Sequence, residues 1–442
     1  MKQIAPFLPL FPKVLLNGAL GTISALTLLS ASPLNRPAIA AMEDSPKTLI
    51  DEMWQIVHSE SVAKDFDAEA WVELRTELLD QKYDSYDAAY RTIRQSLETL
   101  GDPYTRFLDP DQFESLTSQT TGELSGIGIR MEIDDVTKML TVTSVLENSP
   151  AAASGLQAKD QIVQINGQIT ALLTVEQSSE LIRGQVGTEL ELKVIRSEQP
   201  AFEMVLTRAK IELPAVTHAV QQVDGGDRLS YIRLDEFSSH AAEQMQDAIK
   251  EAEAQDVSGY VLDLRGNPGG LLYSSVDIAR MWMEEGAIVR TVDRKGGDRQ
   301  FSANKTAITD LPLVVLVDEN SASASEILAA ALKDNKRATI VGTRTYGKGT
   351  VQSVHELSNG SGLAVTISRY YPPSGVSINL NGVNPDVTVE LSPQDSVKLR
   401  RDPALIATNA DPQYFKAVNI LRNQRLSDKT SMDTNPLSAR TP

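Results

Sequence analysis

Ser323 and Lys348, twenty-five positions apart, are the residues whose types together propose a reaction. The serine lies in Asn320-Ser321-Ala322-Ser323-Ala324-Ser325-Glu326, after an apolar run at 313–317 and before a helical pattern at 327–332. The lysine lies in Tyr346-Gly347-Lys348-Gly349-Thr350, and Gln352 follows it at strand spacing. A serine hydroxyl is a poor nucleophile until a neighbour takes its proton. An amine does this only when neutral, and burial in an apolar pocket pushes a lysine toward that state. Glycines on both sides of Lys348 let backbone pack closely around it. On an extended segment, positions 348, 350 and 352 share a face, which places Gln352 to bond and orient the amine. At the start of a helix, the Ala324 N–H is the local donor for a developing oxyanion. A second donor is expected from Gly269 or Gly270, where missing side chains allow close approach to a substrate.

The same residues admit other readings. Ser323-x-x-Glu326 fits a capping box, in which the hydroxyl only closes the helix end. Ser321 and Ser325 are close enough to compete as nucleophile, and Glu326 either caps or orients from one turn away. The run Gly342-Thr343-Arg344-Thr345-Tyr346-Gly347-Lys348 fits G-x-x-x-x-G-K. A phosphate loop needs Ser or Thr next and must open a helix. Gly349 and a strand-like alternation follow instead, which argues against a nucleotide. There is no G-x-S-x-G elbow. His58, His218, His240 and His355 form no H-E-x-x-H arrangement, and no ligand cluster suggests a metal, so no cofactor is expected.

The elements that must position these groups follow from the whole chain. At 442 residues and 41% apolar, it has room for two or three domains with ordinary cores. A net charge of -17 argues against a nucleic-acid partner. The absence of cysteine excludes disulfides and a thiol nucleophile. Residues 1–40 read as an export signal: Lys2 and Lys13, an apolar stretch at 14–31, and the small-x-small site Ala38-Ile39-Ala40. A retained anchor is the competing reading of that stretch. Residues 41–118 show three-four apolar spacing, as in Leu49, Met53, Ile56 and Val57, and predict a helical region. A linker rich in Ser and Thr is expected near 115–122. Residues 209–395 alternate strands and helices, the pattern of an α/β layer fold. Residues 396–442 predict a C-terminal helix and a polar tail, disordered after about 425.

Between these regions, residues 119–208 resemble a PDZ domain. The resemblance rests on Gly126-Ile127-Gly128-Ile129, on Ser149-Pro150-Ala151-Ala152, and on Asp160-Gln161-Ile162-Val163-Gln164-Ile165-Asn166-Gly167. Such a domain holds a chain terminus, with glycine-loop N–H groups on the carboxylate and the peptide added as a strand at the sheet edge. That places peptide binding at Gly126, Ile127, Gly128 and Ile129.

With Asp263-Leu264-Arg265-Gly266-Asn267-Pro268-Gly269-Gly270, Ser321-Ala322-Ser323-Ala324-Ser325-Glu326 and Gly347-Lys348-Gly349-Thr350-Val351-Gln352 in order, the chain resembles the carboxyl-terminal processing, or tail-specific, proteases. The resemblance covers nearly the whole chain after the leader. It implies a multidomain α+β protein whose catalytic part is α/β layered and ClpP/crotonase-like. It selects Ser323 as nucleophile, Lys348 as base and Gln352 as orienting partner, with Glu326 supporting the site and Gly269 and Ala324 as oxyanion donors. It implies protein substrates with accessible C-terminal tails. The leader, the acidic chain and Asp102-Pro103-Tyr104-Thr105-Arg106-Phe107-Leu108 resemble the cyanobacterial and plastid branch. For that branch the periplasm or thylakoid lumen is the expected location, and the photosystem II reaction-centre precursor the expected substrate. General envelope quality control and a non-catalytic PDZ scaffold are the competing functions.

Overall fold

The computed structural model describes residues 45–433, apart from 64–65, 198 and 224–225. The expected export signal and the last nine residues lie outside the described residues.

Four helices open the described chain: Pro46–Glu60, Ala68–Asp80, Tyr86–Glu98 and Pro110–Thr121. Each start is chemically marked. Pro46 sits in the first turn, Asp67 accepts the Glu69 and Ala70 N–H groups, Ser85 accepts that of Ala88, and Asp109 with Gln112 forms a capping box. The apolar stripe predicted from spacing is buried. Leu49, Met53, Val57, Ile93 and Leu97 pack with Leu363 and Val365 of a later strand. The Ser/Thr-rich stretch expected as a linker is helical to Thr121. Its hydroxyls fold back on the helix, Thr120 onto the Leu116 carbonyl and Thr121 onto that of Thr117, so they need no solvent. Gly122, with φ +71°, ends it.

A two-stranded ribbon, Glu123–Gly126 against Ala209–Glu212, leads into and out of the next domain. Its main sheet runs in the order Ile129–Ile133, Leu140–Val145, Gln161–Ile165, Glu189–Ile195, Phe202–Thr207, with Gln168–Ile169 beside the third. The helices Pro150–Ala153 and Val175–Ile182 complete it. Asn166 and Gly167, both at positive φ, make the turn read from the sequence. Ile127, Leu140, Ile162 and Leu190 are among its core residues. The strand Ile129–Ile133 ends the sheet order, so one edge is open to another strand.

The remaining chain builds two sheets. The larger has six strands in the order Val216–Gln222, Arg228–Leu234, Tyr260–Asp263, Leu313–Val317, Thr339–Gly342, Val387–Thr388. Its first pair is antiparallel and the others are parallel. The inner strands Tyr260–Asp263 and Leu313–Val317 are buried on both faces and so are mostly apolar, whereas the edge strand Val216–Gln222 alternates with polar residues. Alternate residues serve different cores. Leu313, Val315 and Val317 pack with the helices Ala241–Glu253, Leu272–Trp282 and Ala324–Asp334, while Val314 and Leu316 pack under the C-terminal helix Pro412–Asp433. That helix continues past 425, where the composition predicts disorder. Leu421 is buried against the sheet and Arg425 pairs with Asp227, which anchors the turn. The smaller sheet centres on Gly362–Tyr371, which pairs with Arg106–Leu108, Thr350–Glu356 and Ala287–Asp293. The whole is a multidomain α+β protein with a helical N-terminal region, a β-rich second domain and an α/β layered third.

Candidate active site

Two loops and one helix start meet at the C-terminal ends of the parallel strands. The loop 264–271 follows Tyr260–Asp263, the turn 318–323 follows Leu313–Val317, and the loop 343–349 follows Thr339–Gly342. Such ends are where open α/β sheets place their ligand crevices. Beneath the first loop lies a buried ion cluster. The Arg265 guanidinium bonds Asp263, Asp411 and Gln413, and Tyr231 donates to Asp263 at 2.7 Å. Asp411 and Gln413 belong to the start of the C-terminal helix, so that helix braces the loop.

The three serines separate clearly. Ser321 is fully buried and its hydroxyl donates to the Leu264 carbonyl at 2.8 Å. Ser325 is also fully buried and donates to the Asn267 carbonyl at 3.0 Å. Both stitch the turn to the loop 264–271. Ser323 is half-buried, with φ +54° and ψ -111°. Its side chain makes no cap bond; the Glu326 N–H goes to the Ser323 carbonyl at 2.9 Å. A serine held at positive φ costs on the order of 1–3 kcal/mol, and surrounding bonds must hold it there.

Glu326 supplies part of that hold. It is fully buried and accepts four hydrogen bonds. Oε2 takes the N–H of Ser323 and that of Lys348, each at 2.9 Å. The two backbone nitrogens are therefore no farther apart than twice that distance. Oε1 takes the Thr345 hydroxyl at 2.6 Å and the Gly347 N–H at 2.7 Å. Burial pushes the Glu326 carboxyl up, and the bonds from Thr345 and the three N–H groups oppose that. Tyr370, on Gly362–Tyr371, makes a second bridge. Its hydroxyl donates toward the carbonyls of both Ser323 and Lys348.

Lys348 is half-buried, and its Nζ lies 4.9 Å from the ring centroid of Tyr104. Burial holds the amine below the ordinary lysine range, Arg106 adds to that, and Asp102 and Glu326 oppose it. Burial also pushes the Tyr104 phenol up to about 12, with the neighbouring Tyr346 the next cause.

Two expected roles are not formed. The Gln352 amide donates to the hydroxyls of Thr350, at 3.0 Å, and Thr366, at 3.4 Å, rather than to the lysine. Lys348 precedes the strand Thr350–Glu356, so strand alternation does not carry its side chain to the face of Gln352. The Gly269 N–H, expected as an oxyanion donor, goes to Asn267 Oδ1 at 2.8 Å. Gly269 instead provides close approach: a Cβ there would lie 2.9 Å from Ser323 Cβ and 3.0 Å from the Ala324 nitrogen. The N–H groups of Ala324 and Gly270 have no acceptor among the described residues.

Sequence reasoning missed Tyr370, Asn267 as the hub of the loop, and the placement of Tyr104. Asn267 bonds the Leu234 carbonyl through Nδ2 and accepts the Ala322 N–H on its own carbonyl. The only advance signal was Asn267 inside a glycine-rich loop. In the second domain, Gly128 has φ +80° and its carbonyl accepts from Leu146. Ile127 is buried, and its carbonyl accepts from Ala151. The segment 126–129 adjoins the open edge strand, with Val175–Ile182 packed beside it.

Residues 228–389 match the model of peptidase family S41, and residues 115–195 match that of the PDZ domain. A carboxyl-terminal-processing protease of Synechocystis sp. is 40% identical, over 88% of this chain and 89% of its own length. The chloroplastic carboxyl-terminal-processing peptidase 3 of Arabidopsis thaliana is 37% identical, over 79% of this chain and 70% of its own. Among solved structures, a photosystem II D1 C-terminal processing protease is similar at 35% identity and a TM-score of 0.52, covering 84% of this chain and 99% of that one.

Proposed function

Because the chain belongs to peptidase family S41, as a serine-type carboxyl-terminal-processing protease with a PDZ domain, we propose that Ser323 is its nucleophile and Lys348 its general base. The observation that carries this reading is the double bridge at the site. One carboxylate oxygen gathers the N–H groups of Ser323 and Lys348, and one phenol gathers their carbonyls, while the other two serine hydroxyls are occupied.

In this reading the neutral Lys348 amine takes the Ser323 proton as Oγ bonds to the scissile carbonyl carbon. The carbonyl oxygen becomes an oxyanion and receives the N–H groups of Ala324 and Gly270. On collapse the C–N bond breaks, and the lysine ammonium gives its proton to the leaving amine. Water then attacks the acyl-enzyme, losing its proton to Lys348, and the acid product departs as Oγ regains a proton. Glu326 and Tyr370 position the backbones of both residues and exchange no proton with substrate.

The PDZ domain supplies the tail selectivity. A substrate C-terminus adds to the edge strand Ile129–Ile133, its carboxylate at the 126–129 loop, which raises the local concentration of the scissile bond. We assign the chain to an exported compartment, periplasm or thylakoid lumen. Among the described residues, no helix is long and apolar enough to cross a membrane. The D1 precursor of photosystem II is the substrate proposed from the similar solved structure. The test is to incubate the protein with a D1-tail peptide and with unrelated unfolded proteins, and to identify products by mass. Ser323→Ala and Lys348→Ala should each abolish cleavage, and Lys348→Arg should fail because a guanidinium stays protonated. Cleavage by Ser323→Ala would overturn the nucleophile. Equal cleavage of every unfolded protein would replace tail processing by general degradation.

A further inference from the structure

We propose that Tyr104, delivered by the N-terminal helical region, is a positioning residue for the lysine base: its ring face holds the side-chain nitrogen of Lys348 and stabilises the ammonium that forms when serine is deprotonated. This rests on Lys348 being the base. The contact is built by several independent features. Arg106–Leu108 pairs antiparallel with Gly362–Tyr371, the strand that carries Tyr370, in the register Arg106↔Ala364 to Leu108↔Gly362. Asp102 shapes the preceding turn, taking the Tyr104 N–H at 3.1 Å and the Thr105 hydroxyl at 2.7 Å. Thr105 Oγ1 in turn accepts the Thr366 N–H at 3.1 Å. The turn is thus fastened to the catalytic sheet just after Tyr104, through Thr105 and Arg106–Leu108, and is braced within itself by Asp102. The result is a ring centroid 4.9 Å from Lys348 Nζ, inside the range where an aromatic face attracts a cation.

The need for such a contact follows from the other charges. Arg106 disfavours the ammonium, while Asp102 and Glu326 favour it. The Glu326 oxygens are already taken by four donors, so neither is aimed solely at the amine. A ring provides negative potential without a carboxylate, which would keep the lysine charged in the resting enzyme. It therefore favours proton transfer while leaving the amine able to be neutral at rest.

The experiment is a fluorination series at 104 in the full chain. Tyr104→Phe is the reference, and phenylalanines with one, two and three ring fluorines are compared with it, since fluorine drains the ring face without changing its shape. Cleavage of a fluorogenic peptide with an apolar C-terminal tail gives kcat, KM and the acid limb of the pH profile. Across the series kcat should fall by about 2- to 30-fold, the factor that a cation–π contact of this kind supplies. KM should hold, and the acid limb should move to lower pH, because the ammonium is less favoured. Tyr104→Leu should repeat both changes. A flat series, or a loss carried by KM, overturns the role of Tyr104. Lys348→Ala is measured beside it. Cleavage by that variant removes the base assignment itself, whereas an inactive Lys348→Ala with a flat series removes only Tyr104.

Discussion

Replacing Glu326 by glutamine tests the core of the site most sharply. The native carboxylate is fully buried and faces four donors: the N–H groups of Ser323, Gly347 and Lys348, and the Thr345 hydroxyl. A glutamine presents one acceptor oxygen and one NH₂ group. In either orientation of the amide, two donors lose their acceptor and meet another donor. An unsatisfied buried donor costs about 1–3 kcal/mol, so Glu326→Gln should cost about 2–6 kcal/mol in total. If the lower bound appears entirely as misplacement of the nucleophile relative to the base, kcat falls by about thirtyfold. KM for a tail peptide should change little, because the proposed tail site lies in the second domain. Urea denaturation and steady-state cleavage, measured on the same preparation, separate the two effects. Wild-type kcat with a lowered urea midpoint would place the carboxylate's role in the fold alone. Wild-type kcat with a wild-type midpoint would refute the bonding scheme drawn here.

Four further outcomes follow from named contacts. Cleavage should rise with pH along a limb centred below the ordinary lysine value of about 10.4, because burial and Arg106 favour the neutral amine; Arg106→Met should move that limb to higher pH, and a rate flat far into acid would contradict an amine base. Gly269→Ala should lower kcat by at least about tenfold, since its Cβ would meet the Ala322 carbonyl at 2.7 Å and Ser323 Cβ at 2.9 Å, with φ at +105°. Asp411→Ala should lower stability by about 3–5 kcal/mol by urea denaturation, because it strips a carboxylate from the buried Arg265 guanidinium. Gly128→Ala should raise KM for a tail peptide with kcat held, as its Cβ would fall 2.3 Å from Ser149 Cβ at φ +80°.

What was legible in the sequence is what depends on neighbours in the chain. The parallel strand Leu313–Val317 is a continuous apolar run because both faces are covered, and the N-terminal helices show in the three-four spacing of Leu49, Met53 and Val57, which are buried together. The second domain was readable because its turn Asn166-Gly167 and its helix start Ser149-Pro150 are local chemistry. The choice among Ser321, Ser323 and Ser325 was not readable. It turns on whether each hydroxyl meets a carbonyl of a loop more than fifty residues away. The Gln352 amide bonds Thr350 and Thr366 rather than the lysine because Lys348 lies before the strand begins, where alternation no longer holds. Gly269 was assigned a donor role from its lack of a side chain, yet its N–H serves Asn267 two residues back. Tyr104 and Tyr370 reach the site only through strand pairing between segments over 250 residues apart, which no local pattern encodes.

The resulting centre fixes the backbones of Ser323 and Lys348 and leaves their side chains free for the proposed proton transfer. The Ser323 carbonyl accepts from Glu326 at 2.9 Å, Ile327 at 3.0 Å and Tyr370 at 3.1 Å, while its N–H is held by the Glu326 carboxylate. A bond to a charged acceptor contributes about 1.5–3 kcal/mol and a neutral one about 0.5–1.5 kcal/mol. The bonds from the Ser323 N–H and from Tyr370 together match the 1–3 kcal/mol order of its backbone strain. The turn is therefore set before substrate arrives, and none of that holding depends on the Ser323 hydroxyl. A site whose strained backbone leaned on its own nucleophile would have to loosen as the nucleophile attacked. In the proposed mechanism Ser323 would form and break its bond to the acyl group while the bonds to Glu326 and Tyr370 stay in place, which is the condition for the proposed donors at Ala324 and Gly270 to meet the oxyanion without rearrangement.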